Sequence, residues 1–133
     1  EIGFMGQFFG GQNTPQFLEA AGSAAEGTII IENFLIGNDS PAVVDFNKRF
    51  KDRFGHDPST FSAYAYDALN VLAEAVRRGD ATHEGVFKAL SDGGRWKTVQ
   101  FGEFEFSADR RPGDVTLLPV TVRNGAYVPA EAS

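Results

Sequence analysis

Pro58-Ser59-Thr60-Phe61-Ser62-Ala63-Tyr64-Ala65-Tyr66-Asp67-Ala68-Leu69-Asn70-Val71-Leu72-Ala73-Glu74-Ala75-Val76-Arg77-Arg78-Gly79 is the longest and best-punctuated helix signal in the chain. Ser59 or Thr60 can accept hydrogen bonds from the otherwise unpaired amides of the first turn. Arg77 and Arg78 suit the negative end of the helix dipole, and Gly79 follows as a stop. Phe61, Tyr64 or Ala65, Ala68, Leu69, Leu72 and Val76 recur at helical spacing, which predicts one buried apolar stripe. The first turns are crowded with aromatic rings, Phe61, Tyr64 and Tyr66, whereas the later turns are aliphatic. Rings bunched at a helix start are either core or the wall of a ligand cleft.

On the N-terminal side, Gly55-His56-Asp57-Pro58 links this helix to another. That one starts with Ser40 as cap and Pro41 first and runs to Phe54. Val43, Phe46, Phe50 and Phe54 lie on one stripe, and Lys48, Arg49, Lys51 and Arg53 form a solvated face opposite. Further back, Ile2 to Phe9 reads as a buried strand ending at Gly10-Gly11. Thr14 and Pro15 then open a short helix through Ala21. Thr28 to Phe34 is a β-branched run suited to a second buried strand. Strand, helix and strand with short links make the βαβ pattern of a parallel sheet.

On the C-terminal side, Thr82 caps a helix over Glu84–Ser91, with Val86, Phe87 and Leu90 inward. Thr98 to Ser107 alternates as extended structure, with Gly102 marking a bulge or turn. Val115 to Val122 reads as a strand that Pro119 demotes to an edge or breaks. Asn124-Gly125 is the strongest short hairpin signal, with Ala126-Tyr127-Val128 returning. The fold class is α/β.

The 133 residues carry 12 Lys and Arg against 18 Asp and Glu, a net charge of −6, which argues against nucleic acid as partner. Cysteine is absent, which excludes thiol nucleophiles and thiolate metal sites. No apolar run approaches the roughly 18–20 residues needed to cross a bilayer, so direct membrane insertion is not expected. The chain opens on Glu1 inside an apolar segment and reads as a fragment, with a signal peptide and a further α/β lobe expected upstream.

Chemistry is sparse. His56 and His83 lack the spacing of a metal site, and no phosphate loop or nucleophile elbow is present. Glu103 and Glu105 alternate on one strand face and read as solvated rather than as an acid/base pair. No catalytic residue, metal ligand or cofactor site is assigned. What remains is aromatic: 13 phenylalanines, with Phe8-Phe9 at a strand exit and Phe61, Tyr64 and Tyr66 at a helix start. Ligands of open α/β sheets sit beyond the carboxyl ends of strands, where such groups fall.

Ala24-Ala25-Glu26-Gly27 before a β-branched strand, Phe54-Gly55-x-x-Pro58, and Tyr64-x-Tyr66-Asp67-Ala68-Leu69-x-x-Leu72-x-x-Ala75 carry a family resemblance. Together with Gly102-x-Phe104-x-Phe106 and Asn124-Gly125-x-Tyr127-Val128, they resemble the C-terminal half of type I periplasmic binding proteins. The branch is the leucine/isoleucine/valine-binding group, the extracellular ligand-binding receptors of ABC importers. The resemblance implies two lobes with parallel sheets, joined by hinge crossings and closing over a solute. Residues 1–31 would then finish the second lobe, and 32–36 would cross the hinge. Residues 37–114 would belong to the first lobe, with 115–133 crossing back.

The resemblance further implies a non-enzymatic solute-binding component without cofactors, in the periplasm or outside the cell, partnered by a membrane permease. The same fold also serves ligand-sensing receptors, and a small α/β enzyme is the alternative from another class. Phe61 falls where the family places an apolar side chain against the solute. The loop Gly6-Gln7-Phe8-Phe9 falls where amino-acid-binding members keep an acidic residue for the ligand's ammonium, and here Gln7 or Phe8 takes that place. A buried ammonium without its anion is costly, so an apolar or aromatic solute is expected, contacted by Gln7, Phe8, Phe9, Phe61 and Tyr64.

Overall fold

The computed structural model describes residues 6–113 and 115–130. The described residues form helices α1 (Pro15–Ala21), α2 (Pro41–Phe54), α3 (Thr60–Arg78) and α4 (His83–Ser91) and five strands. The strands are β1 (Ile29–Glu32), β2 (Trp96–Thr98), β3 (Gly102–Phe104), β4 (Leu118–Arg123) and β5 (Ala126–Pro129). Each helix starts where a capping side chain can take an orphan amide. Thr14 accepts from Phe17 N–H, Ser40 from Val43 N–H and Thr82 from Gly85 N–H. Ser59 and Ser62 form a reciprocal capping box at the start of α3. Such caps contribute about 1 kcal/mol apiece.

The longer sheet has the order β1-β4-β5, with antiparallel pairing throughout. The expected strand through Phe9 lies partly outside the described residues, since residues 2–5 are not among them. Its described end joins the sheet as a single parallel bridge, Phe9 to Ile29, with Gly10 N–H donating to Ile29 and Ile29 N–H to Phe8. Phe8 and Phe9 are exposed there, not buried. A single parallel bridge holds this segment to β1, and both residues stay more than half exposed.

Pro119 also departs from expectation, because β4 is the central strand of its sheet. The ladder tolerates it because the Pro119 carbonyl, paired with Ala130 N–H, faces β5. The missing Pro119 donor faces the same way, at the very end of that pairing, so one terminal bond is lost and the β1 side is intact. The β4–β5 turn is Asn124-Gly125 as expected, with φ of 53° and 69°. The Glu26 carboxylate accepts from both turn amides, at 3.0 and 2.6 Å. Glu26 therefore fastens the hairpin to the turn that precedes β1.

Two apolar clusters hold the helices. Phe34, Val43, Phe46 and Ala63 form one, with Phe34 and Phe46 in edge contact at 6.0 Å. Ala75, Trp96 and Phe104 form the other, extended by Val71, Val86, Leu90 and Phe106. The buried side of α3 is Thr60, Ala63, Asp67 and Ala75, not the predicted stripe. Phe61, Tyr64, Leu69, Leu72 and Val76 are all exposed, Leu69 by 68%. Small residues let α3 approach the clusters closely, so the tighter face is the alanine face. The larger apolar side chains lie on the neighbouring, more exposed face. Phe87 is likewise exposed, under the Arg110 guanidinium at 5.2 Å from its ring.

In the 133-residue chain, Leu69→Ser should leave the unfolding free energy within about 0.5 kcal/mol, as for other uncovered surface positions. Urea denaturation checks this, and a loss above about 2 kcal/mol would show that the face is covered. At the hairpin, Gly125→Ala should cost roughly 1–2 kcal/mol, because it forces an L side chain into left-handed backbone.

Candidate functional site

Loop 10–14, the segment 32–34 after β1, and the first turn of α3 converge on one residue, Asn13, which is only 7% exposed. Its side-chain amide donates to the Phe34 carbonyl at 2.8 Å. Its backbone N–H donates to the Glu32 carboxylate at 3.2 Å. Its carbonyl accepts from the Thr60 hydroxyl at 3.5 Å. The loop is tight because Gly11, at φ 102°, sits against Phe17, whose ring a Cβ would meet at 2.9 Å.

Tyr127 of β5 fastens the same loop from another side. Its hydroxyl lies 2.6 Å from the Gln12 carbonyl and 2.8 Å from that of Thr14, and it accepts Thr14 N–H at 3.1 Å. Burial pushes the Tyr127 phenol above its ordinary value. Burial also raises the Glu32 carboxyl, opposed by the N–H groups of Asn13 and Asn33. These contacts make a polar junction of four segments distant in sequence.

The expected solute residues sit around this junction in two groups. Phe61 (56% exposed) and Tyr64 (38% exposed) stand together at the start of α3, with ring centroids 6.3 Å apart in edge contact. The Tyr64 hydroxyl donates to Asn33 Oδ1 at 2.9 Å. Gln7, Phe8 and Phe9 lie on the exposed segment that runs into loop 10–14. The Gln7 amide is engaged with backbone, donating to the carbonyls of Phe8 and Gly27. Loop 10–14 leads from this group to Asn13, and Asn13 reaches Thr60, the neighbour of Phe61. Tyr66, the third ring of the sequence cluster, turns inward against Phe46 at 5.0 Å.

Beside Tyr64 a groove of about 350 Å³ is walled by Ala68, Val71, Leu72, Leu90, Phe101 and Phe104, with Asp67 at one side. Asp67 is buried and accepts from Val99 N–H at 2.8 Å, Gln100 N–H at 3.1 Å and the Gln100 amide at 3.0 Å. It closes the turn between β2 and β3 and is bound up in that task. Asn13, Asn33 and Asp67 were all missing from the sequence-based site. The Tyr66-Asp67-Ala68 motif carried the last of them, but nothing in local spacing marks the two asparagines.

The remaining polar groups do no visible chemistry. Lys48, Arg49 and Lys51 pair with Asp52, Asp45 and Asp57 on an exposed face. Glu103 pairs with Arg95 and Lys97, and Glu105 with Arg95, all in solvent. Among the described residues no group of three or more His, Asp or Glu side chains is placed to hold a metal ion. No helix among them is long and apolar enough to cross a membrane.

Comparison with known proteins now assigns the class. Residues 1–126 match the model of the periplasmic binding protein family, and the chain belongs to that family. A leucine-binding protein from Thermotoga maritima superposes with a TM-score of 0.84 at 21% identity, over 98% of this chain and 38% of that one. A putative branched-chain amino acid ABC transporter protein from Rhodospirillum rubrum gives 0.71 at 28% identity, over 93% and 36%. An ABC transporter solute-binding protein from R. palustris, solved with benzoate, gives 0.71 at 21% identity, over 84% and 31%. The chain thus spans well under half the length of each. No curated protein matches the sequence. The α/β class and the resemblance to part of a type I periplasmic binding protein both hold, and these neighbours are binding proteins rather than enzymes.

For Asp67, an NMR titration of the carboxyl carbon should give a midpoint above the ordinary 3.8, because burial outweighs its three donors. The folded state then holds the proton more tightly than the unfolded chain. The carboxyl's stability contribution grows as pH falls through that raised midpoint toward 3.8 and is flat above it. A midpoint below 3.8 would show that the donors win.

Proposed function

We propose that this chain forms part of the solute-binding component of an ABC importer and holds a small apolar or aromatic molecule against Phe61 and Tyr64. The observation that carries the reading is the exposed pair of rings at the start of α3. They stand beside the polar junction at Asn13, in a chain of the periplasmic binding protein family. Large apolar rings left in solvent at a built junction fit a site awaiting a ligand better than a core.

The chemistry of the loop favours the ligand class. Residues 6–14 contain no Asp or Glu, so an ammonium group seated there would lack an anion. The carboxylate that reaches this loop from outside it, Glu32, accepts Asn13 N–H through one oxygen. An aromatic or branched apolar body meets Phe61 and Tyr64 by edge and stacking contacts, worth roughly 0.5–1.5 kcal/mol per ring pair beyond burial. Benzoate in one solved neighbour and leucine in another are consistent with small solutes of this size.

Residues 1–31 and 37–114 are read as parts of two lobes, with 32–36 and the tail as crossings between them. Closure about those crossings would cover the exposed rings, and a membrane permease would recognise the closed form in the periplasm or at the cell surface.

Isothermal titration of the natural-length polypeptide with benzoate and with leucine tests the ligand class. Benzoate should bind more tightly than leucine, and Phe61→Ala should weaken benzoate about tenfold or more, as expected for losing one buried ring contact. Tight leucine binding with no response to benzoate would overturn the aromatic assignment.

A further inference from the structure

The three successive residues Glu32, Asn33 and Phe34 each accept a hydrogen bond, from two distant parts of the chain. Asn13 takes the first and the last, through its N–H to the Glu32 carboxylate and its side-chain amide to the Phe34 carbonyl. Asn13 is almost fully buried and fixed in turn by its loop, which Tyr127 fastens on both sides of it. The segment is therefore clasped at both ends, with the half-buried Asn33 between them. The Asn33 side chain accepts the Tyr64 hydroxyl at 2.9 Å.

We propose that Asn33 is a positioning residue of the solute site: clasped in place by Asn13, it fixes the Tyr64 ring, through the Tyr64 hydroxyl, in the orientation that meets the solute. This rests on the reading that the solute sits against Phe61 and Tyr64. A tyrosine at the exposed start of a helix has free χ torsions, and ordering it on binding costs affinity. The bond to Asn33 meets that cost before the solute arrives. Two geometric facts support the role. The Tyr64 ring is in edge contact with Phe61, so its orientation sets the shape of the aromatic wall. The acceptor also comes from segment 32–34 rather than from α3 itself, so the ring follows that segment. In a protein that closes about residues 32–36, the ring would be carried with the crossing as the lobes move.

The role separates from structural support because both side chains lie at the surface, where losing one neutral hydrogen bond hardly changes stability. The test uses the natural-length polypeptide with benzoate as the probe, in wild type, Tyr64→Phe, Asn33→Ala and the double variant. Tyr64→Phe keeps the ring and removes only the hydroxyl. Each single change should weaken benzoate roughly two- to tenfold, the range of one hydrogen bond. The double variant should be no weaker than either single one, because both remove the same bond. Melting temperatures without benzoate should match wild type in all four.

Additive losses in the double variant, or a Tyr64→Phe affinity equal to wild type, would overturn the positioning role while leaving the aromatic site standing. Failure of wild type itself to bind benzoate would overturn both. A matched fall in melting temperature with unchanged affinity would assign the bond to structure instead.

Discussion

The hydrogen bonds of Asn13 are the constraint on which the rest of the structure depends. One buried side chain and its own peptide group reach the Glu32 carboxylate, the Phe34 carbonyl and the Thr60 hydroxyl. A buried amide that lost these partners would leave polar groups stranded, at about 1–3 kcal/mol each. Loop 10–14, the segment leaving β1 and the start of α3 are therefore fixed relative to one another. Tyr127 extends the same junction to β5, and Glu26 ties the β4–β5 turn back to the residues before β1. Polar bonds, rather than apolar packing, define the place where the exposed rings stand.

Apolar packing does its work elsewhere. Phe34, Val43, Phe46 and Ala63 hold α2 to α3, and Ala75, Trp96 and Phe104 hold the far end of α3 to the β2–β3 hairpin. Between these clusters Asp67 replaces hydrophobic contact with three hydrogen bonds to the hairpin turn. Leu69, Leu72 and Val76, on the neighbouring face of α3, stay exposed.

Much of the fold was legible in the sequence wherever a local rule governs. Thr14-Pro15, Ser40-Pro41, Ser59 and Thr82 marked the helix starts, and Asn124-Gly125 the hairpin, because caps and left-handed turns depend on a few adjacent atoms. What failed was non-local. The stripe of α3 was assigned to the larger side chains, although close approach selected the alanines. Pro119 predicts an edge strand or a broken one, whereas its missing donor falls at the end of one pairing inside a central strand that starts at Leu118. Phe8 and Phe9 were expected in a buried strand, and a single bridge leaves them in solvent. At the site, the rings could be picked out from composition and position, but Asn13 and Asn33 could not. Their importance lies in partners 19 to 47 residues away.

The central claim is that the rings of Phe61 and Tyr64, beside the Asn13 junction, form the wall of a solute site. A crystal structure of the natural-length polypeptide grown with benzoate tests it most directly. Density for the aromatic acid is expected against both rings, with the Tyr64 hydroxyl still on Asn33. Benzoate bound elsewhere, with Phe61 and Tyr64 facing solvent or packed into a protein core, would contradict it.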